Sequence, residues 1–189
     1  MLLIVAATDP ELRGAEGLPD VETLACGVGP VDAAVTVAAR LARAPRPDAI
    51  LHVGIAGARR ETGFQPGHLV LGIASTYCDT ASRLVTRELA PDDVLFANVH
   101  RAFPDAVVTT IGTTADVGGS SACDVEGMEG FAVLRAADLA GVPAIEARTI
   151  SNEIEEDDRA KWHFDVALDA LAAALPHLAT AIASPHDDA

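Results

Sequence analysis

Residues 21–55, VETLACGVGPVDAAVTVAARLARAPRPDAILHVGI, decide the fold. A short β-like run, 21–26, passes through Gly27-Val28-Gly29-Pro30 into a helix over 30–43. Pro30 suits a first helical turn, and Val31, Ala34, Val35, Ala38 and Leu41 recur at helical spacing. A second apolar run, 49–55, follows. Strand, helix, strand in that order predicts parallel pairing. Residues 2–7 are another continuous apolar run, the mark of a strand buried on both faces.

Further along, residues 67–75, 83–89 and 106–110 read as strands separated by turn-rich stretches. A second helix is expected over 127–140, stopped by Gly141 with Pro143 soon after. Residues 144–150 give a strand, and Asp158 opens a long Ala/Leu helix that Pro176 should kink or end. The tail, 184–189, is expected to fray. No repeat or composition break divides the chain, so residues 1–183 are read as one α/β domain of three layers.

The chain has 189 residues, with 13 basic against 28 acidic side chains and a formal net charge of −15. Such a surface repels phosphate backbones and anionic lipid, which argues against nucleic-acid and membrane partners. Half the residues are hydrophobic but only 4% are aromatic, so Ala, Val and Leu carry the packing. Cys26, Cys78 and Cys123 form no C-x-x-C pair and read as small buried residues of a reducing compartment. Residues 1–7 are too short for a signal peptide or a span and have no basic residue ahead of them, so a cytoplasmic protein is expected. The six histidines lack ligand spacing, and neither metal nor cofactor is expected. Ser120 and Ser121 sit in no nucleophile elbow.

Five short segments could carry chemistry. Thr8-Asp9-Pro10-Glu11 follows the first strand, where a carboxylate could act as base on water or simply match a helix dipole. Gly27-Val28-Gly29-Pro30 is a lone G-x-G without the setting of a dinucleotide site and reads as a tight turn. Gly54-Ile55-Ala56-Gly57 would let a ligand approach the backbone closely, or merely turn. Glu129 opens a helix, where it is either a hydroxyl acceptor or a dipole-matched surface acid. Ser151 and Asn152 leave the last strand as hydrogen-bonding groups or as a cap.

The order of these segments resembles the nucleoside phosphorylase and nucleosidase superfamily, over residues 2 to about 175. The resemblance implies a three-layer α/β/α fold with a mixed, largely parallel central sheet. Met128-Glu129 looks like the family's ribose-binding pair, and Arg148-Thr149-Ile150-Ser151-Asn152 like its base-binding segment. Gly54 to Gly57 resembles its small-residue strand end, with Ala56 and Gly57 against the ligand, and Glu11 matches the water-activating glutamate of its hydrolytic members.

Three details resemble a branch that releases hypoxanthine: Asn152 in place of an aspartate, Asp158-Arg159-Ala160-Lys161-Trp162, and Ile55 where another branch carries Ser. A carboxamide can donate to N7 or O6 of a 6-oxopurine. Val117 falls where adenine-specific relatives stack an aromatic ring. The resemblance implies hydrolysis through an oxocarbenium-like transition state, with Glu11 and Asn152 catalytic and Glu129 and Met128 on the ribose. Ser151 would join Asn152 at the purine, and Arg148 would support the site. Arg159 and Lys161 offer cations for a substrate carboxylate beyond the sugar's 5′ side. The alternatives are a 5′-methylthioadenosine/S-adenosylhomocysteine nucleosidase and a purine nucleoside phosphorylase. A phosphorylase would want Gly-Asp-Pro-x-Arg after the first strand to hold phosphate, whereas here Thr8 replaces the Gly, Arg13 arrives one position late, and an acid at Glu11 repels phosphate. The family also implies a homo-oligomer, a dimer or larger, for which Phe64, Tyr77, Phe96 and Phe103 are candidate anchors.

Overall fold

The computed structural model describes residues 1–118 and 122–184. Residues 185–189 of the expected frayed tail, and the Ser120-Ser121 pair, lie outside the described residues. Among the described residues, eight strands pair into one mixed sheet: β1 (Leu2–Ala6), β2 (Val21–Ala25), β3 (Ala49–Ala58), β4 (Leu69–Tyr77), β5 (Glu88–Leu89), β6 (Val107–Thr113), β7 (Val125–Gly127) and β8 (Ala144–Glu153). The helices are α1 (Pro30–Leu41), α2 (Asp93–Ala102), α3 (Gly130–Ala140) and α4 (Phe164–Ala183).

Side-chain alternation sorts β1 between two cores. Leu2, Ile4 and Ala6 join Leu95 and Val99 of α2 and Leu171, Leu175 and Leu178 of α4. Leu3 and Val5 join Val37 of α1 and Val133 and Ala137 of α3. This is the α/β/α layering. The pairs β1–β2, β1–β3, β3–β8, β4–β6 and β6–β7 are parallel, whereas β3–β7, β4–β5 and β4–β8 are antiparallel. Followed around, β3, β8, β4, β6 and β7 close into a ring. Ala56, Ala58, Val70, Ile111, Val125 and Ile150 fill it.

The middle of the chain departs from the expected run of strands. Of 83–89 only Glu88–Leu89 is strand. Asp93–Ala102 is a helix, because the Asp92 carboxylate accepts from the Val94 and Leu95 N–H groups and caps it. Arg159–Lys161 is a short 3₁₀ turn, so the last helix starts at Phe164 and not at Asp158.

That helix also runs through Pro176 to Ala183. Proline inside a helix costs about 3 kcal/mol. Burial of Leu171, Leu175 and Leu178 offsets it, at roughly 1.5–3 kcal/mol per side chain. Pro176 has no N–H for the Ala172 carbonyl, and Gly14 packs against that oxygen so closely that a Cβ there would stand 2.2 Å away. By length and composition α4 could cross a bilayer, but here its apolar stripe is part of the core.

The aromatic residues expected as interface anchors are half-buried and make contacts within the chain. Tyr77 stacks on Phe131 at 5.6 Å and Phe96 on His100 at 5.8 Å. Phe103 and Phe64 pack against the two buried clusters nearest them. The large exposed apolar side chains include Val31, Val35, Leu84 and Leu139.

Candidate active site

The parallel strands β1, β2, β3 and β8 end on one edge of the sheet, where a crevice is expected in open α/β folds. A cavity of about 420 Å³ opens there, within the range of small-molecule sites. Its walls come from the residues after β1, the ends of β3 and β8, the β7–α3 junction, and the segment before α4.

Glu11 sits in a 3₁₀ turn, Asp9–Ala15, directly after β1. Three donors fix its carboxylate. Thr8 gives its N–H at 2.9 Å and its hydroxyl at 2.7 Å to Oε2, and the Ile55 N–H reaches Oε1 at 3.1 Å. Glu129, just before α3, is buried and accepts from the Gly29 N–H at 3.0 Å. The Gly27–Pro30 turn is therefore a ligand of a site carboxylate. Met128, Ala56 and Gly57 line the same cavity.

Asn152 and Ser151 lie at the end of β8, both buried. The Ser151 hydroxyl is 2.8 Å from Asn152 Oδ1 and 3.2 Å from the Ala56 carbonyl, either of which can accept its proton. Asn152 Nδ2 donates to the Glu153 carbonyl at 2.9 Å, which uses one of its two N–H groups.

Arg148 is almost fully buried and lines the cavity. Its Nε–H donates to Glu146 Oε1 at 2.9 Å and its Nη1 to the Ile55 carbonyl at 3.3 Å. Nη2 donates to His52 Nε2 at 2.6 Å and reaches Glu129 Oε2 at 3.4 Å. Burial works against its charge, but Glu146, then Glu129 and Glu11, more than compensate and raise its pKa. Gly54 pairs with Arg148 across β3 and β8, and a Cβ on Gly54 would stand 2.4 Å from Nη1 and 2.7 Å from Glu11 Oε1. The guanidinium and the carboxylate meet in the space that glycine leaves.

His52 and Glu146 were not singled out from the sequence. His52 is a polar residue inside an otherwise apolar strand, and that was the available signal, because a buried polar group requires a partner; Glu146 is one of several polar residues of β8 and carries no such signal. Burial, then Arg148, pushes the His52 pKa well below 6.5. The neutral ring donates from Nδ1 to the Val5 carbonyl at 3.0 Å and accepts at Nε2. Burial also pushes the Glu146 carboxyl up, against the pull of Arg148.

The His52 shift predicts a pH dependence of stability. Below 6.5 the unfolded chain binds a proton at His52 that the native chain refuses, so stability falls as pH drops. The urea midpoint of the wild-type protein should decrease from pH 7 to pH 5 more steeply than that of His52→Gln. Parallel slopes would show that His52 does not contribute.

Arg159, Trp162, Phe164 and Leu168 line the other end of the cavity. The Arg159 guanidinium lies 5.5 Å from the Trp162 ring centre, and the Trp162 and Phe164 rings are 5.4 Å apart. Lys161 does not line the cavity: its ammonium pairs with Glu156 at 3.0 Å on the surface. The two cations expected to act together are therefore separated. Arg13 also turns away, to Asp169 at 3.0 Å. Val117 lines the mouth, and so does buried Glu126, which accepts from the Thr114 hydroxyl at 3.2 Å.

Among the described residues, no group of His, Cys, Asp or Glu side chains is placed to hold a metal ion. Cys26 is buried, with its thiol pushed up to about 12 by burial and then by Glu129. Contrary to expectation, Cys78 and Cys123 are only half-buried.

Comparison with known proteins places this site in context. Residues 20–118 match the family described as the phosphorylase superfamily. The chain is 34% identical to the futalosine hydrolase of Streptomyces coelicolor over 203 aligned residues, covering 90% of this chain and 84% of that protein. Solved structures share the fold. A 5′-methylthioadenosine/S-adenosylhomocysteine nucleosidase of Colwellia psychrerythraea, in complex with adenine, superposes with TM-score 0.84 at 18% identity, covering 96% of this chain and 95% of that one. The futalosine hydrolase of Helicobacter pylori superposes with TM-score 0.80 at 15% identity, covering 96% of each chain.

Proposed function

The chain belongs to the phosphorylase superfamily and is homologous to futalosine hydrolase, and from that premise we propose that it hydrolyses the N-glycosidic bond of futalosine. The products are hypoxanthine and dehypoxanthine futalosine, in menaquinone biosynthesis. The observation that carries this reading is the convergence of Glu11, Glu129 and Asn152 on one nucleoside-sized cavity.

In this reading Glu129 accepts the ribose hydroxyls, Met128 packs on the sugar, and the C1′–N9 bond breaks toward an oxocarbenium-like transition state. Water adds to C1′ as Glu11 takes its proton. The electron pair of the broken bond passes into the purine, where the free N–H of Asn152 stabilises it at N7 or O6. Hypoxanthine takes its last proton from solvent. Ala56 and Gly57 leave room for the base, and Ser151 fixes the Asn152 amide. Arg159, beside Trp162 and Phe164, takes the substrate's carboxyphenyl group by stacking and charge.

Phosphorolysis is disfavoured because Arg13 is paired outside the cavity and Arg148 is enclosed by carboxylates. The protein is read as a cytoplasmic homo-oligomer, a dimer or larger, after its family.

The test is product chromatography on futalosine, aminofutalosine, methylthioadenosine and inosine, each with and without phosphate. Hypoxanthine from futalosine at a phosphate-independent rate is expected. A pentose 1-phosphate product would overturn hydrolysis, and preferred release of adenine from methylthioadenosine would overturn the substrate.

A further inference from the structure

Resting on that hydrolase reading, we propose that His52 and Glu146 are positioning residues that hold Arg148 back from Glu129 and so keep the Glu129 carboxylate open to the ligand. Neither residue lines the cavity. They act through the guanidinium.

The register of β3 on β8 sets up the arrangement. His52 pairs with Glu146 and Gly54 with Arg148, so all four positions lie on the α1/α3 face of the sheet in two adjacent rows. Arg148 lies across Gly54 toward the site, with His52 and Glu146 behind it.

The distances separate the two sides. The rear contacts are 2.6 Å to His52 and 2.9 Å to Glu146, whereas the forward contacts are 3.3 Å to the Ile55 carbonyl and 3.4 Å to Glu129. Charged N–H···O bonds ordinarily settle at about 2.7–2.9 Å. In a fully buried setting the pull between Arg148 and Glu129 is strong, yet the pair stands open by roughly half an ångström relative to that range. The rear bonds oppose it.

His52 is suited to this task because its tautomer is set. With Nδ1–H given to the Val5 carbonyl, Nε2 is an acceptor and nothing else. Glu146 adds an opposing charge at the same depth. Without either one, Arg148 moves forward and closes on Glu129, occupying lone pairs that the ribose hydroxyls require. The cost therefore falls on substrate binding. A purely structural role would lower the melting temperature and the active fraction but leave KM unchanged.

The experiment compares His52→Leu, His52→Gln and Glu146→Gln by KM, kcat and melting temperature. His52→Gln keeps an acceptor for Arg148 and a donor for Val5, and should stay within about threefold of wild type in KM. His52→Leu should raise KM for futalosine by about tenfold or more while kcat of the folded fraction changes by less than about threefold. Glu146→Gln keeps the Nε bond but loses the charge, and should raise KM by about threefold to tenfold. An unchanged KM in folded His52→Leu, or equal damage from His52→Gln, overturns the proposal. If His52→Leu does not fold, an unchanged KM in Glu146→Gln overturns it.

Wild-type protein that cleaves none of the four nucleosides sinks the hydrolase reading instead. The Arg148 Nε–H resonance then decides the anchor. Slow exchange with solvent in wild type and His52→Gln supports it, and fast exchange in wild type overturns it.

Discussion

Glu11→Gln should lower kcat for futalosine on the order of 10³-fold, the usual scale for loss of a positioned general base. KM should stay within about threefold, because the ribose and the base are held by other residues. The surroundings of Glu11 make the replacement harsher than its size suggests. Oε2 accepts two donors from Thr8 and Oε1 accepts one from Ile55. Whichever way a glutamine amide turns, its NH₂ opposes a backbone N–H, at a cost of about 1–3 kcal/mol for the unsatisfied groups. Single-turnover kinetics on folded protein separate the two effects. Retention of the full wild-type rate would mean that another group activates the water.

Gly54→Ala is the second large effect, and it adds only a methyl group outside the reacting centre. That methyl would sit 2.4 Å from Arg148 Nη1 and 2.7 Å from Glu11 Oε1. Arg148 is held from behind by Glu146 and His52, so the methyl displaces it toward Glu129 and pushes Glu11 from its place. A shift near 1 Å in such a site costs about 10²-fold in rate. We expect kcat/KM to fall by that order, with a lower melting temperature, and activity within about twofold of wild type would refute the packing argument.

Much of the fold is legible in the residues. The runs at 2–7 and 49–55 are strands covered on both faces, which leaves a nearly continuous apolar signature. The run at 21–26 is instead the edge strand β2, only partly buried, and 144–150 is buried throughout although Glu146, Arg148 and Thr149 interrupt it. The helix expected at 30–43 forms over Pro30–Leu41, but it buries Ala33, Val37 and Leu41, so of the expected stripe Leu41 is buried while Val31 and Val35 face outward. The centre is less legible. Asp93–Ala102 carries a proline–aspartate start at Pro91-Asp92, but the β-like residues on either side mask it. The three residues of β7 form a strand only because β3 and β6 flank them, a tertiary cause with no local trace. Pro176 is a strong local stop that the packing of α4 overrides.

Of the candidate site, Glu11, Glu129, Ser151 and Asn152 are visible as polar residues at the ends of elements, and they share one cavity. His52 lies in mid-strand and Glu146 among the other polar residues of β8, away from the element ends, and their meaning depends on the register that sets them side by side. Lys161 shows the reverse failure, since proximity in sequence to Arg159 and Trp162 does not bring it to the same surface.

The ring of β3, β8, β4, β6 and β7 bears on how the molecule reaches its working state. The bond from Gly29 to Glu129 joins positions 100 apart, and that from Ile55 to Arg148 joins positions 93 apart. Contacts of such separation form late and slowly, because the loop between them must be closed before any reward arrives. A nascent or partly folded chain can therefore hold several native strands and still have no binding floor. Recovery of turnover during refolding would time the closing of the ring, and should lag behind the return of helical signal.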